Sequence, residues 1–139
     1  MGQAVSDYTC AGGKPRFLWF DVGHYSNHKR VVYWLDWERL SVQYNEKVPV
    51  DLQDYPKLEC PHEMIQAAEI MCKDFPQVRV DFYVVNGKLY FGKMTFTDAS
   101  GGSRIVPREM EYEIGSWITL PPKSPIPMRL IYQDKCPED

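Results

Sequence analysis

No apolar run in this chain is long enough to cross a bilayer as a helix, so no membrane partner is expected. There is no excess of positive charge. A formal net charge of −3 over 139 residues gives no face for nucleic acid. The start, Met1-Gly2-Gln3-Ala4-Val5-Ser6-Asp7, has neither the basic nor the apolar region of a signal peptide. Gly2 and Ser6 fit a myristoylation pattern only loosely, and that pattern is short enough to arise by chance. Cys-x-x-Cys is absent. Cys10, Cys60, Cys72 and Cys136 are widely spread and read as free thiols in a reducing cytoplasm, with disulfides as the alternative. No nucleophile-elbow motif occurs. Gly12-Gly13-Lys14-Pro15 lacks the spacing and the following Ser or Thr of a phosphate-binding loop. His24 and His28 are four apart in an expected loop with no third ligand nearby, which argues against a metal there.

Hydrophobic residues make up 44% and aromatics 14%, enough for an ordered core. The length suits one domain over 1–139, closing in a proline-rich connector and tail over 121–139. Residues 16–22 and 30–35 are dense in aromatic and β-branched residues and read as strands, with Gly23 to His28 as the loop between them. Residues 45–61 carry Pro49, Pro56 and Pro61 and are expected to run over the surface. Met64, Ala67, Ala68, Met71 and Phe75 recur at helical spacing, widened by Ile65 and Cys72, which predicts a helix over 61–75. Pro61 suits its first turn and Pro76 its end. That stripe reads as core packing. A helical turn is expected in 107–115, a short apolar segment at 117–120 and an edge strand at 128–132. Trp19, Trp34, Trp37 and Trp117 suit a sugar-stacking platform, but aromatics on paired strands more often form a core or a subunit interface. The fold class is α+β, an antiparallel sheet with one main helix packed on one face.

Residues 78–97 form the most informative stretch. Asn86-Gly87 is a strong hairpin signal. Val78, Val80, Phe82 and Val84 alternate with Arg79, Asp81 and Tyr83. Uninterrupted pairing from that turn would place Lys93 and Thr95 on the apolar face and Met94 and Phe96 on the polar one. A single extra residue at Gly92 corrects this, because a strand glycine often marks a bulge. The expected result is a polar face carrying Arg79, Asp81, Lys93 and Thr95, with Met94 and Phe96 in the core. From the residues alone, the plainer reading of that face is a solvated surface with ordinary cross-strand ion pairs.

Several segments, in order, resemble the TupA-like branch of the ATP-grasp superfamily from about Asp7 to Leu120. They are Asp7-Tyr8-Thr9-Cys10-Ala11-Gly12-Gly13-Lys14-Pro15, Ser26-Asn27-His28-Lys29-Arg30 with Asp36-Trp37, the helix, Arg79-Val80-Asp81-Phe82-Tyr83, Tyr90-Phe91-Gly92 and Leu120-Pro121. The resemblance implies an ATP-dependent ligase ancestry, in which ATP makes an acyl phosphate that an amine attacks. It implies phosphate binding by Arg79 and Mg²⁺ binding by Asp81 together with a glutamate. Lys93 stands where that glutamate is expected, and Thr95 where many ATP-grasp enzymes carry an asparagine. A protonated lysine cannot ligate Mg²⁺. The resemblance covers only the C-terminal part of a family member, without the lobe that completes the nucleotide clamp. The expectation is therefore an inactive, ATP-grasp-derived binding or oligomeric module in the cytoplasm, with no cofactor, acting as a homo-oligomer or with a partner chain. One alternative is a subunit of a carboxylate–amine ligase in cell-surface polysaccharide biosynthesis, using Mg²⁺ and ATP, with its N-terminal lobe on a separate chain. A folded remnant without a selected role is the third.

Overall fold

Gly12 and Gly13 turn the chain with φ of 63° and 73°, a backbone region that glycine enters without penalty. They join β1 (Val5–Ala11) to β2 (Lys14–Val22), paired antiparallel from Val5↔Asp21 to Ala11↔Lys14. The computed structural model describes residues 5–22, 28–44 and 49–123, and of residues 98 and 99 the backbone alone. β2 is the strand expected at 16–22, begun two residues early. The other expected strand, at 30–35, is β3 (Lys29–Trp34). The loop joining them lies mostly outside the described residues, as do His24 and the edge strand expected at 128–132.

A two-residue strand, β4 (Gln43–Tyr44), precedes the main helix, α1 (Pro61–Cys72), whose first turn holds Pro61 and Glu63 as the pattern predicts. The helix stops at Cys72, short of the expected Phe75. Phe75 is 36% exposed and packs edge-on to Phe96 at 5.0 Å. Next come β5 (Gln77–Val85) and β6 (Lys88–Thr95), joined through Asn86-Gly87. After a 3-10 turn at Asp98–Gly101 follow β7 (Ile105–Val106), which pairs with β4, and α2 (Arg108–Ser116).

The sheet order is β3-β2-β1-β5-β6, all neighbours antiparallel. The class is α+β, as expected. Its centre was not anticipated: β1 is the middle strand. Its two faces read Ser6-Tyr8-Cys10 and Val5-Asp7-Thr9, a mixture of polar and apolar residues that resembles no half-buried strand, yet Ser6 to Ala11 are all buried.

α1 covers one face. Met64, Ala68 and Cys72 pack on Tyr8, Cys10, Leu18, Val31, Val78, Val80 and Phe82. The opposite face carries a second, aromatic cluster at one end. There Phe17, Trp19, Val32 and Val42 meet Ile114 of α2, with Trp34, Tyr44 and Trp117 around them. The nine-residue α2 exceeds the single turn expected, and 117–120 forms no strand. The tryptophans serve as packing: Trp37 stacks on Tyr33 at 4.3 Å, and Trp117 lies under the Arg16 guanidinium.

The segment expected to run over the surface is tied down where it is described. Arg39 donates to the carbonyl oxygens of Asp51 and Gln53, both at 2.6 Å. The Trp37 indole donates to Tyr55 O at 2.9 Å. Tyr55 and Leu58 pack against the α1 core, and Asp51 is buried while accepting from the Tyr55 hydroxyl. Donors from the segment after β3, together with the Tyr33 hydroxyl of β3 that accepts from the Tyr55 amide, hold this stretch in place without regular structure.

Candidate functional site

Away from the aromatic cluster, the face opposite α1 stays open among the described residues. Strand register decides which side chains meet there. Arg79 pairs with Thr95, Val80 with Met94 and Asp81 with Lys93, but Phe82 pairs with Phe91, so Gly92 is the extra residue. This is the bulge the alternation demanded. Met94 packs on the α1 core as expected. Phe96 does not. β6 ends at Thr95, one residue earlier, and Phe96 is 53% exposed beyond the ladder. A Cβ at Gly92 would lie 3.1 Å from the Asp81 carbonyl oxygen, so a larger residue in the bulge would press on that backbone.

Two rows of side chains run across the open face. One is Trp19–Asp7–Asp81–Lys93 and the next is Arg30–Asp21–Val5–Tyr83–Tyr90. Asp7, Asp21 and Asp81 are all buried. Arg30 grips Asp21 at two points, Nε to Oδ1 at 2.6 Å and Nη2 to Oδ2 at 2.8 Å, while its guanidinium lies 4.4 Å over the Trp19 ring. His28 Nε2 lies 3.3 Å from Asp21 Oδ1. Arg79 grips Asp81 likewise, Nε to Oδ1 at 2.9 Å and Nη2 to Oδ2 at 3.2 Å. Lys93 Nζ stands 3.9 Å from Asp81 Oδ2, with its side chain 67% exposed. Together these groups line a cleft of about 420 Å³.

Asp7 differs from its neighbours. Its Oδ2 is 3.9 Å from Arg79 Nε, and its Oδ1 is buried without a hydrogen-bond partner among the described residues. Burial, then the Asp81 charge, pushes its pKa up to about 7, against the pull of Arg79. The indole nitrogen of Trp19, its cross-strand neighbour, is also buried and unpartnered among the described residues.

The sequence-predicted residues therefore stand together, with Arg79, Asp81 and Lys93 in one cleft. Thr95 is beside Arg79, lining a smaller cavity of about 50 Å³ with Thr9 and Phe17. Sequence reasoning did not place Asp7, Asp21 or Arg30 at this site, and it weighed His28 only as a metal ligand. For Asp21 and Arg30 a signal existed, since an acid ends one expected strand and a base begins the next. A larger cleft of about 800 Å³ lies near the start of α1, lined by Phe20, Tyr55, Leu58, Met64 and Val84. It is mostly apolar, and the charged residues in its lining are Lys57 and Glu59.

A family model described as TupA-like ATPgrasp matches residues 5–119. The chain belongs to the TupA-like ATP-grasp family. No curated protein and no solved structure matches it. The match spans β1 through α2, so the open face lies wholly within the ATP-grasp region. ATP-grasp ancestry implies Mg²⁺, and the donors of this face do not fit that ion. Mg²⁺ takes carboxylate oxygens together with water and substrate phosphates in octahedral geometry. Both Asp81 oxygens accept from Arg79, and Lys93 adds a further positive charge. No group of three His, Cys, Asp or Glu side chains placed to hold a metal ion occurs among the described residues.

Proposed function

We propose that this TupA-like ATP-grasp chain is a binding module without ligase activity, acting in the cytoplasm as an oligomer or with a partner chain. The observation carrying this reading is the environment of Asp81. Arg79 occupies both its oxygens, and Lys93 stands where a second carboxylate would be needed. Phosphoryl transfer depends on a metal ion that offsets charge developing on the phosphate oxygens. Here protein cations sit in the place of that metal. Arg79 is the phosphate-binding candidate of the cleft only if a ligand draws it from Asp81. Tyr90, Phe91 and Phe96, exposed on or beside the edge strand β6, support a contact with another chain.

Calorimetry with Mg²⁺–ATP tests the reading on the natural chain and on Lys93→Glu. No heat is expected from the natural protein, and measurable binding from the variant. Tight Mg²⁺–ATP binding by the natural chain, or ATP turnover, would overturn it. That result would favour the second reading, a ligase subunit of cell-surface polysaccharide biosynthesis using Mg²⁺ and ATP. The retained Arg79–Asp81 pair and the Gly92 bulge speak for that reading.

A further inference from the structure

The stretch from Asp51 to Leu58 has no regular structure, yet it is held at several points. The Tyr55 amide donates to the Tyr33 hydroxyl at 3.3 Å, its carbonyl accepts from the Trp37 indole at 2.9 Å, and its hydroxyl donates to Asp51. This anchoring fixes a wall that does not close onto the sheet. Between the wall and the start of α1 lies the cleft of about 800 Å³. Phe20 of β2 and Val84 of β5 line it on the sheet side, Met64 on the helix side, and Tyr55 and Leu58 on the wall. Close packing leaves few voids larger than a water molecule, so packing alone does not account for an apolar hollow of this size. One polar side chain lies deep in it. Ser6 of β1 is 2% exposed, lines the cleft, and has no hydrogen-bond partner for its hydroxyl among the described residues. A buried hydroxyl in that condition is costly, because its lost hydration is not replaced.

We propose that this cleft binds a neutral aromatic molecule, its rings among Phe20, Tyr55 and Met64 and a single hydroxyl or carbonyl group on Ser6. The site lies on the face of the sheet opposite Asp81 and requires neither nucleotide nor metal. Its size suits a small organic ligand, since clefts of roughly 300–1,000 Å³ enclose most of one. Phe20 and Tyr55 already stand 5.3 Å apart and tilted at 57°, an arrangement that a third ring extends. The Met64 thioether is a soft, polarizable neighbour for a ring. Lys57 and Glu59 are the charged residues of the lining and offset each other, so the cleft gives an ion no net attraction. A molecule with many hydroxyls would leave most of them against apolar side chains. A wall fixed before the ligand arrives lowers the cost of ordering it.

Nuclear magnetic resonance on the full chain, labelled with carbon-13 at its methionine methyl groups, tests this with 2-naphthol as the probe. Met64, assigned through Met64→Leu, is the reporter, because a bound ring shifts the resonance of a methyl group beside it. A saturable shift is expected. Ser6→Ala should weaken 2-naphthol by roughly two- to tenfold, the worth of a neutral hydrogen bond, and leave naphthalene, which has no hydroxyl, unchanged. Val84→Trp, at a half-buried position of the lining, fills the cleft and should abolish binding of both. No saturable shift of Met64, an equal effect of Ser6→Ala on the two compounds, or undiminished binding to Val84→Trp would overturn the proposal. So would a Met64 shift that grows with protein concentration alone, which would put a second copy of the chain in the cleft. Because neither nucleotide nor metal is added, failure here is separate from failure of the Mg²⁺–ATP calorimetry.

Discussion

The two faces of the central sheet are made by the same strands, one residue out of phase, and are held by different forces. The α1 face is apolar. Tyr8, Cys10, Leu18, Val78 and Val80 meet Met64, Ala68 and Cys72, and loss of water stabilises the contact in any orientation that packs well. The open face depends on direction. Arg30 and Arg79 must present their guanidinium forks to Asp21 and Asp81, and the bulge at Gly92 must bring Lys93 across from Asp81. Buried ion pairs contribute little net stability, since desolvation offsets attraction. The α1 face therefore carries the folding energy, and the open face, which keeps an unmatched acid at its centre, is shaped for something else.

Breaking the apolar side should have the largest effect. Phe82, 2% exposed, packs edge-on to Tyr8 at 5.9 Å. Phe82→Ala should cost about 3–5 kcal/mol in urea unfolding, through lost burial and the cavity left behind. A loss below about 1 kcal/mol would mean that this face is not the energetic core.

The open side should respond to pH, and in the direction opposite to a paired carboxylate. The folded Asp7 carboxyl keeps its proton up to about pH 7, while the unfolded one releases it near 3.8. Between those values the folded chain holds more protons. Stability from this group is fully present below 3.8 and is lost as pH rises through about 7. Urea unfolding across that range should show a component that falls with pH and flattens above it. Asp7→Asn should abolish that component and be more stable than the natural chain at alkaline pH. A slope unchanged in the variant would assign it to another group.

The smallest effect belongs to Lys93. Its ammonium is mostly in water and 3.9 Å from Asp81, so Lys93→Gln should shift unfolding by about 1 kcal/mol or less. A larger loss would show Lys93 to be a structural counter-ion, and the contrast between the faces would weaken.

Periodicity made much of this legible. β2, β3, α1 and the β5–β6 hairpin follow from alternation, helical spacing and Asn86-Gly87. The bulge followed from a conflict between alternation and turn geometry, which only an extra residue at Gly92 could relieve. β1 stayed hidden because its residues are buried on both faces, on one of them among polar side chains, so Asp7 and Thr9 blur the alternation of Tyr8 and Cys10. With β1 went Asp7, whose place beside Asp81 comes from a pairing between distant parts of the chain. The anchoring of Tyr55 was also illegible, since it depends on its amide donating to the Tyr33 hydroxyl and its carbonyl accepting from the Trp37 indole rather than on any pattern of its own.

The Gly12–Gly13 tip divides the two hairpins in a way that bears on redesign. Gly12 donates its amide to Pro76 O at 2.9 Å. A Cβ there would come within 2.7 Å of Trp117 O, just past α2, and one at Gly13 within 2.7 Å of Lys73 O, just past α1. Lengthening this tip would drive a wedge between the carbonyls of two layers. At the other tip nothing lies within 4 Å of a Cβ built on Gly87. A tag, a fluorophore or new chain termini belong at Asn86-Gly87, and two turns that look equally permissive as letters differ in their tolerance of added chain.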